Sequence, residues 1–303
     1  MPTVVVLAML SGFGAAVAQA WSYLISRSFV LHRRGGSLRL LALAHAWLGL
    51  VALVALPWTW QPPAADWPVV AGALTLSLVS YLSAQFWFFF TVARAPASRV
   101  APLMGVKVVV LALLAAGLGL EKIQPLQWLA LAGALVAVRL VSVSGQRLSW
   151  SAWAGLAATV CSFACSDIGI RMLLEALDPE MGFGACLQAA ALNYACALVV
   201  TPCLLPLHGR PRAAELGHAG RYALAWGLGM IALFGAIGQA GVVLAIMMQA
   251  LRGPLSVLFG AWLSWRDPEH PAAEQRFTRA AVIRQSAAAL VMAGAAGAYA
   301  WLG

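Results

Sequence analysis

The chain has 303 residues, of which 62% are hydrophobic and only 10% charged, against about 25% charge in a typical soluble domain, so a soluble fold is excluded. The net charge of +9 does not indicate nucleic acid, because the basic residues sit in short stretches between apolar segments rather than on one face. The 28 glycines fit helices packed closely in lipid.

Ten stretches are apolar and long enough for the helix of about 20 residues that crosses a bilayer. In chain order they are Thr3 to Ser26, Leu40 to Trp60, Pro68 to Thr91, Ala97 to Leu120, Leu126 to Ser144, Trp150 to Leu174, Phe183 to Leu207, Tyr222 to Ile246, Gly253 to Trp265 and Ala281 to Leu302. The ninth is short and is expected to begin earlier, near Met248. The first has no basic leading region and is too long for a signal-peptide core, so it reads as a span.

Arginines mark one side of the membrane. Arg27, Arg33, Arg34 and Arg39 separate spans one and two, Arg94 and Arg99 three and four, and Arg147 five and six. Arg210, Arg212 and Arg221 follow between seven and eight, and Arg266, Arg276 and Arg279 between nine and ten. The other side carries Asp66, Glu121, Glu175, Asp178 and Glu180, with Lys122 and Arg252 as its basic residues. The positive-inside rule puts the Arg-rich side in the cytoplasm and both termini outside.

The second half reads as a weak copy of the first. Aligning Pro102 with Pro254 lays Arg99-Val-Ala-Pro-Leu103 on Leu251-Arg-Gly-Pro-Leu255, each trailed by an acid, Glu121 or Glu274. Tyr23 to Arg27 likewise falls on Asp167 to Arg171. Five spans are an odd number, so the second copy enters the membrane inverted. The expected fold is an all-α integral membrane protein of ten transmembrane helices arranged as two inverted five-helix repeats, residues 1–147 and 148–303. Gly12, Gly14, Gly72, Gly105, Gly133, Gly229, Gly235 and Gly238 are expected to allow close helix packing.

The stretch Tyr81 to Val141, with YLSAQFWFFFTVARAPASRVAPL followed by GLEKIQPLQWLALAGALVAVRLV, resembles the third to fifth helices of the drug/metabolite transporter superfamily, in its ten-helix EamA-type branch. The resemblance implies a multi-pass protein of the bacterial inner membrane that moves a small metabolite, with export favoured. Members of that family usually keep their termini in the cytoplasm, whereas the arginines here place them outside, and the charged loop from Arg266 to Arg284 also departs from the pattern.

A central charge in a spanning helix costs about 2.5–3.5 kcal/mol on insertion scales, so each polar residue there needs a partner or a water-filled cavity. Lys107 follows Pro102 in an otherwise apolar span and reads either as a snorkelling side chain or as an inward cation for an anionic or carbonyl group. Asp167 and Arg171, spaced i, i+4, can pair on one helix face; alternatively Asp167 takes up a proton and couples transport to the proton gradient. Gln85 and Gln239 fall near equivalent places in the repeat, and Gln249 and Arg252 flank the break before Pro254. These amides suit a polar cavity or ordinary interhelical hydrogen bonding. Trp21, Tyr23 and Trp87 are candidates for an aromatic wall.

Other residues take blander roles. Trp58, Trp60, Trp67, Trp128, Trp150, Trp265 and Trp301 fall at span ends as interfacial anchors. His45, Gln188 and Asn193 are polar residues of spans two and seven, with His45 read as packing. The five cysteines, Cys161, Cys165, Cys186, Cys196 and Cys203, lie in spans six and seven without a tetrahedral ligand set, and read as small buried packing residues.

There is no P-loop, no HExxH and no catalytic constellation, so no enzyme, metal or cofactor is expected. The expected function is secondary transport of a small molecule by alternating access, with proton coupling an open possibility, as a monomer or homodimer. The rival is a flippase for a lipid-linked or polyprenyl-phosphate substrate, in which Lys107 and Arg252 hold the headgroup.

Overall fold

The computed structural model describes residues 2–32, 36–92, 94, 100, 103–142, 148–204, 209–267 and 279–302, and among them there is helix but no strand. The elements are α1 (Pro2–His32), α2 (Gly36–Thr59), α3 (Trp67–Val92), a 3-10 turn (Met104–Val106) running into α4 (Lys107–Gly117), α5 (Pro125–Ser142) and α6 (Trp150–Leu177). They continue with α7 (Phe183–Ala197), the short α8 (Val200–Leu204), α9 (Ala213–Ala240), α10 (Val242–Gln249), α11 (Arg252–Arg266) and α12 (Arg279–Leu302). Pro102 and Arg99 of the repeat motif, Glu274, and Arg33, Arg34, Arg147 and Arg276 lie outside the described residues.

In lipid every backbone N–H and C=O must be satisfied within the protein, and helices do this segment by segment. Seven helical stretches among the described residues are long and apolar enough to cross a membrane, from Val4–Ser26 to Val242–Arg266. Polarity is inverted relative to a soluble fold. Val54, Leu129, Leu224 and Leu290 are exposed, while Gln19, Lys107, Asp167, Asn193, Gln249 and Arg252 are buried. The chain is an all-α, multi-pass membrane protein. Trp58, Trp150, Trp265 and Trp301 are strongly exposed near helix ends, as interfacial anchors are.

The helices meet in a definite set of pairs. The most extensive are α3 with α6 and α1 with α9, followed by α5 with α12 and α2 with α7. Around the centre α4 packs on α6, and α11 on α1. Small residues set the closest approaches: a side chain at Gly169 would meet the backbone of Ser77 in α3, and one at Gly229 would meet Gln19 and Ala15 in α1. Gly12 and Gly105 fill the expected role against Met248 and Val138, but Gly14 and Gly72 have open space beside them and set no contact.

Two expectations are corrected here. The eighth span ends at Ala240, not Ile246, because Gly241 adopts φ +80°, a left-handed conformation that favours glycine. Oε1 of Glu121 accepts hydrogen bonds from the N–H groups of Val242 and Val243, which satisfies the first donors of α10. Val242–Arg266 is therefore one apolar stretch, interrupted only at Ala250 and Leu251. Pro254 explains that interruption, since its ring would clash with the carbonyl of Ala250 in a continuous helix. Gln249 and Arg252 consequently lie near the middle of the stretch rather than at its mouth.

The cysteines are the second correction. Only Cys186 is buried; Cys161, Cys196 and Cys203 are exposed and Cys165 is half-buried. A thiol behaves as a small apolar group, so the outward, lipid-facing surface accommodates it without packing.

Candidate functional site

Five polar side chains from five helices converge where the long helices cross. Lys107 opens α4, Asp167 lies in α6, Gln249 ends α10, Arg252 begins α11, and Gln19 lies in α1. Nζ of Lys107 donates to Oδ2 of Asp167 at 2.6 Å and to Oε1 of Gln249 at 2.9 Å. Nε2 of Gln249 donates to Oε1 of Gln19 at 3.0 Å, and Nη1 of Arg252 donates to the same oxygen at 2.8 Å. Gln19 Nε2 in turn reaches Sδ of Met230 at 3.3 Å. All five are buried.

The charges within this chain of hydrogen bonds do not balance. Two cations, Lys107 and Arg252, share one carboxylate, Asp167, and Arg252 is close enough to act electrostatically on both other members. Breaking a buried ion pair by removing one partner typically costs about 3–5 kcal/mol, because the other charge is left uncompensated. Lys107 is therefore held inward and does not snorkel to the interface. Arg171 does not pair with Asp167; one turn further along α6 it bonds Glu175 at 2.6 Å instead. Asp167 faces α4, and the inter-helix partner displaces the intrahelical one.

Two small cavities adjoin the cluster. One is lined by Lys107, Asp167, Arg252, Tyr81, Phe163 and Trp226, and the other by Ser77, Asn193, Tyr194, Ser166, Tyr81 and Phe234. Each has a volume of about 10 Å³, about what a single water requires. Ser166 and Tyr81 line both, which makes the two cavities neighbours along one polar seam. Asn193 Nδ2 donates to Oγ of Ser77 at 2.7 Å on that seam, and Trp226 Nε1 donates to the Tyr194 hydroxyl at 3.0 Å.

The other predicted residues are spread more widely. Tyr23 stacks on Phe88 and lies beneath the Arg252 guanidinium, 5.7 Å from ring centre to Cζ. Gln85 is buried against Tyr81. Trp21 points elsewhere, edge-on to Phe259, and lines a larger pocket of about 550 Å³ between α1, α9 and α11. Trp87 sits between Phe86 and Phe90, so Trp21, Tyr23 and Trp87 form no common wall. Gln239 is exposed near the end of α9, away from the cluster. His45 Nδ1 donates to the Leu41 carbonyl, 2.8 Å away, and its ring lies beside Tyr81 and Tyr194. Gln188 bonds the Gln61 carbonyl.

Gln19, which accepts from both Gln249 and Arg252, is not among the expected residues. Its signal is the same as that of Gln85, an amide inside an apolar run. Tyr81, Phe163 and Trp226 carry no such signal, since aromatic residues are ordinary in apolar helices. Among the described residues, no three His, Cys, Asp or Glu side chains come together as a metal-binding group.

At both ends of the molecule, contacts tie residues far apart in sequence. The Glu121 carboxylate holds the start of α10 at one end. At the other end Arg39, in the first turn of α2, bonds Glu215 and the Arg210 carbonyl at 2.8 and 3.0 Å, buried beside the start of α9.

No protein-family model matches the sequence, and no curated protein matches it. The fold is shared with solved structures. In one crystal structure the match has a TM-score of 0.66, covers 95% of this chain and 96% of the other, and carries 18% identity, a level that speaks to fold alone.

Proposed function

We propose that the protein is a secondary transporter that carries a small metabolite across the bacterial inner membrane by alternating access. On this reading ten spans form two inverted halves, residues 1–147 and 148–303, of the kind that the Tyr81 to Val141 stretch resembles. The helix pairs support it. α1 packs on α9 as α6 packs on α3, and α1 on α11 as α6 on α4, while α2 meets α7 and α5 meets α12. Exchanging the two halves leaves that set of pairs unchanged, which is what an inverted repeat requires.

The observation that carries the reading is the buried cluster of Lys107, Asp167, Gln249, Arg252 and Gln19. Its members come from both halves, and Gln19, Asp167, Gln249 and Arg252 lie well inside their apolar stretches, where ionisable residues are expensive and serve substrate or ion pathways. The contacts at the two ends, Glu121 with α10 and Arg39 with Glu215, also join the two halves. Closed together they enclose the cluster; opened in turn they give it access to one side and then the other.

Counterflow into proteoliposomes tests this. Vesicles preloaded with organic acids, amino acids, nucleosides, polyamines or sugar phosphates should exchange one class with label outside, and Lys107→Ala should abolish that exchange while the protein remains folded. Exchange of none of them, with transbilayer movement of a fluorescent polyprenyl phosphate instead, would replace the carrier by a flippase.

A further inference from the structure

Arg252 points beyond transport in general. It is 4% exposed, within an apolar stretch, and a guanidinium has five N–H donors. Among the described residues its hydrogen-bond acceptor is Oε1 of Gln19, an oxygen already shared with Gln249; the face of Tyr23 lies 5.7 Å away, and Asp167 and Lys107 are within electrostatic reach. Arg252 also lines the small cavity together with Lys107 and Asp167.

Resting on the transport reading above, we infer that the substrate is a small organic anion with an apolar body, its acid group held by Arg252, which hydrogen-bonds to an amide oxygen and, among the described residues, to no carboxylate. The charge balance and the donor geometry of Arg252 both point to this class. The cluster carries two cations and one carboxylate, and Lys107 already closes on that carboxylate at 2.6 Å. A monoanion brings the site to neutrality, whereas a cation adds to the surplus and finds no free counter-charge. An acid group also matches the guanidinium fork, which binds carboxylate or phosphate through two parallel hydrogen bonds.

The rest of the cavity wall is mostly apolar and aromatic, from Tyr81, Phe163, Trp226, Met230 and Leu233, with Ser166 and Gln249 as its polar members; at about 10 Å³ it must widen before it admits a hydrophobic body.

The contrast between the arms of the cluster sharpens the assignment. α4 meets α6 through Lys107 and Asp167, a cation with a carboxylate. α11 meets α1 through Arg252 and Gln19, a cation with a neutral amide. Gln19→Glu would give the second arm its own counter-charge and make it resemble the first.

The test uses three ligands with one body, benzoate, benzamide and benzylammonium, and reads the melting temperature of the full-length protein in detergent. Benzoate should raise it by mass action; benzamide and benzylammonium should not. Gln19→Glu should raise the ligand-free melting temperature and cancel the benzoate shift. Arg252→Lys, which keeps the charge but loses the fork, should need at least tenfold more benzoate for the same shift. Absence of a benzoate shift in the wild type, an equal shift with either other ligand, or a full benzoate shift in both Gln19→Glu and Arg252→Lys would overturn the inference. Counterflow of a neutral or cationic solute without a benzoate shift would remove the anion and leave transport standing; a benzoate shift without counterflow of any solute would do the reverse.

Discussion

Lys107 and Arg252 are both buried cations lining one cavity, yet they are held in opposite ways. Lys107 meets a carboxylate at 2.6 Å and an amide oxygen at 2.9 Å, so its charge is balanced and two of its three donors are used. Arg252 meets an amide oxygen at 2.8 Å, which accepts a hydrogen bond but returns no charge. The first arm is a brace between α4 and α6. On the proposed reading the second, between α11 and α1, is the arm that receives the substrate.

Asp167→Ala strikes the brace hardest, because it removes the one carboxylate between two cations. The expected loss is about 3–5 kcal/mol, seen as a large fall in melting temperature, and Lys107→Met combined with Asp167→Leu should recover most of it. Gln19→Leu takes the shared acceptor from Gln249 and Arg252 and should cost about 1–3 kcal/mol. If Gln19→Leu proved the more damaging of the two, the roles of the arms would be exchanged.

Away from the cluster the effects shrink. Glu121→Ala removes the acceptor at the start of α10 and should cost about 0.5–2 kcal/mol, as loss of a helix cap does. Burial holds the Glu121 carboxyl above the ordinary value of 4.5, against the opposing pull of the Val242 and Val243 N–H groups. With the folded value raised, its contribution is fully present below 4.5 and is lost as pH rises through the raised value. Glu121→Gln should flatten that part of the stability-against-pH curve, and an unchanged curve would assign the slope to another group. Glu175→Gln breaks the partly exposed i, i+4 pair with Arg171 and should cost only about 0.3–0.5 kcal/mol.

Much of this arrangement is legible in the sequence, for a reason specific to lipid. A polar side chain in a run of Val, Leu and Ala stands out, so Lys107, Asp167, Gln249 and Arg252 are all visible from hydropathy alone. Their partners are less so. The i, i+4 spacing favours Asp167 with Arg171, but helix rotation is set by tertiary packing, and α6 turns Asp167 toward α4. The Gly241 break is hidden because the apolar runs on either side of it are continuous in hydropathy, and the group that caps α10, Glu121, is 121 residues earlier than the Val242 it holds. The aromatic wall of Tyr81, Phe163 and Trp226 is assembled from three distant helices and has no local signature.

Alternating access requires that the cluster be reached from each side of the membrane in turn. Ser166, buried and lining both small cavities, is the place to test it. With Cys161, Cys165, Cys186, Cys196 and Cys203 replaced by Ala, a Ser166→Cys protein is labelled with a small membrane-impermeant thiol reagent in right-side-out and in inside-out vesicles. The account predicts labelling in both, slowed from both sides by substrate; labelling confined to one orientation would contradict it.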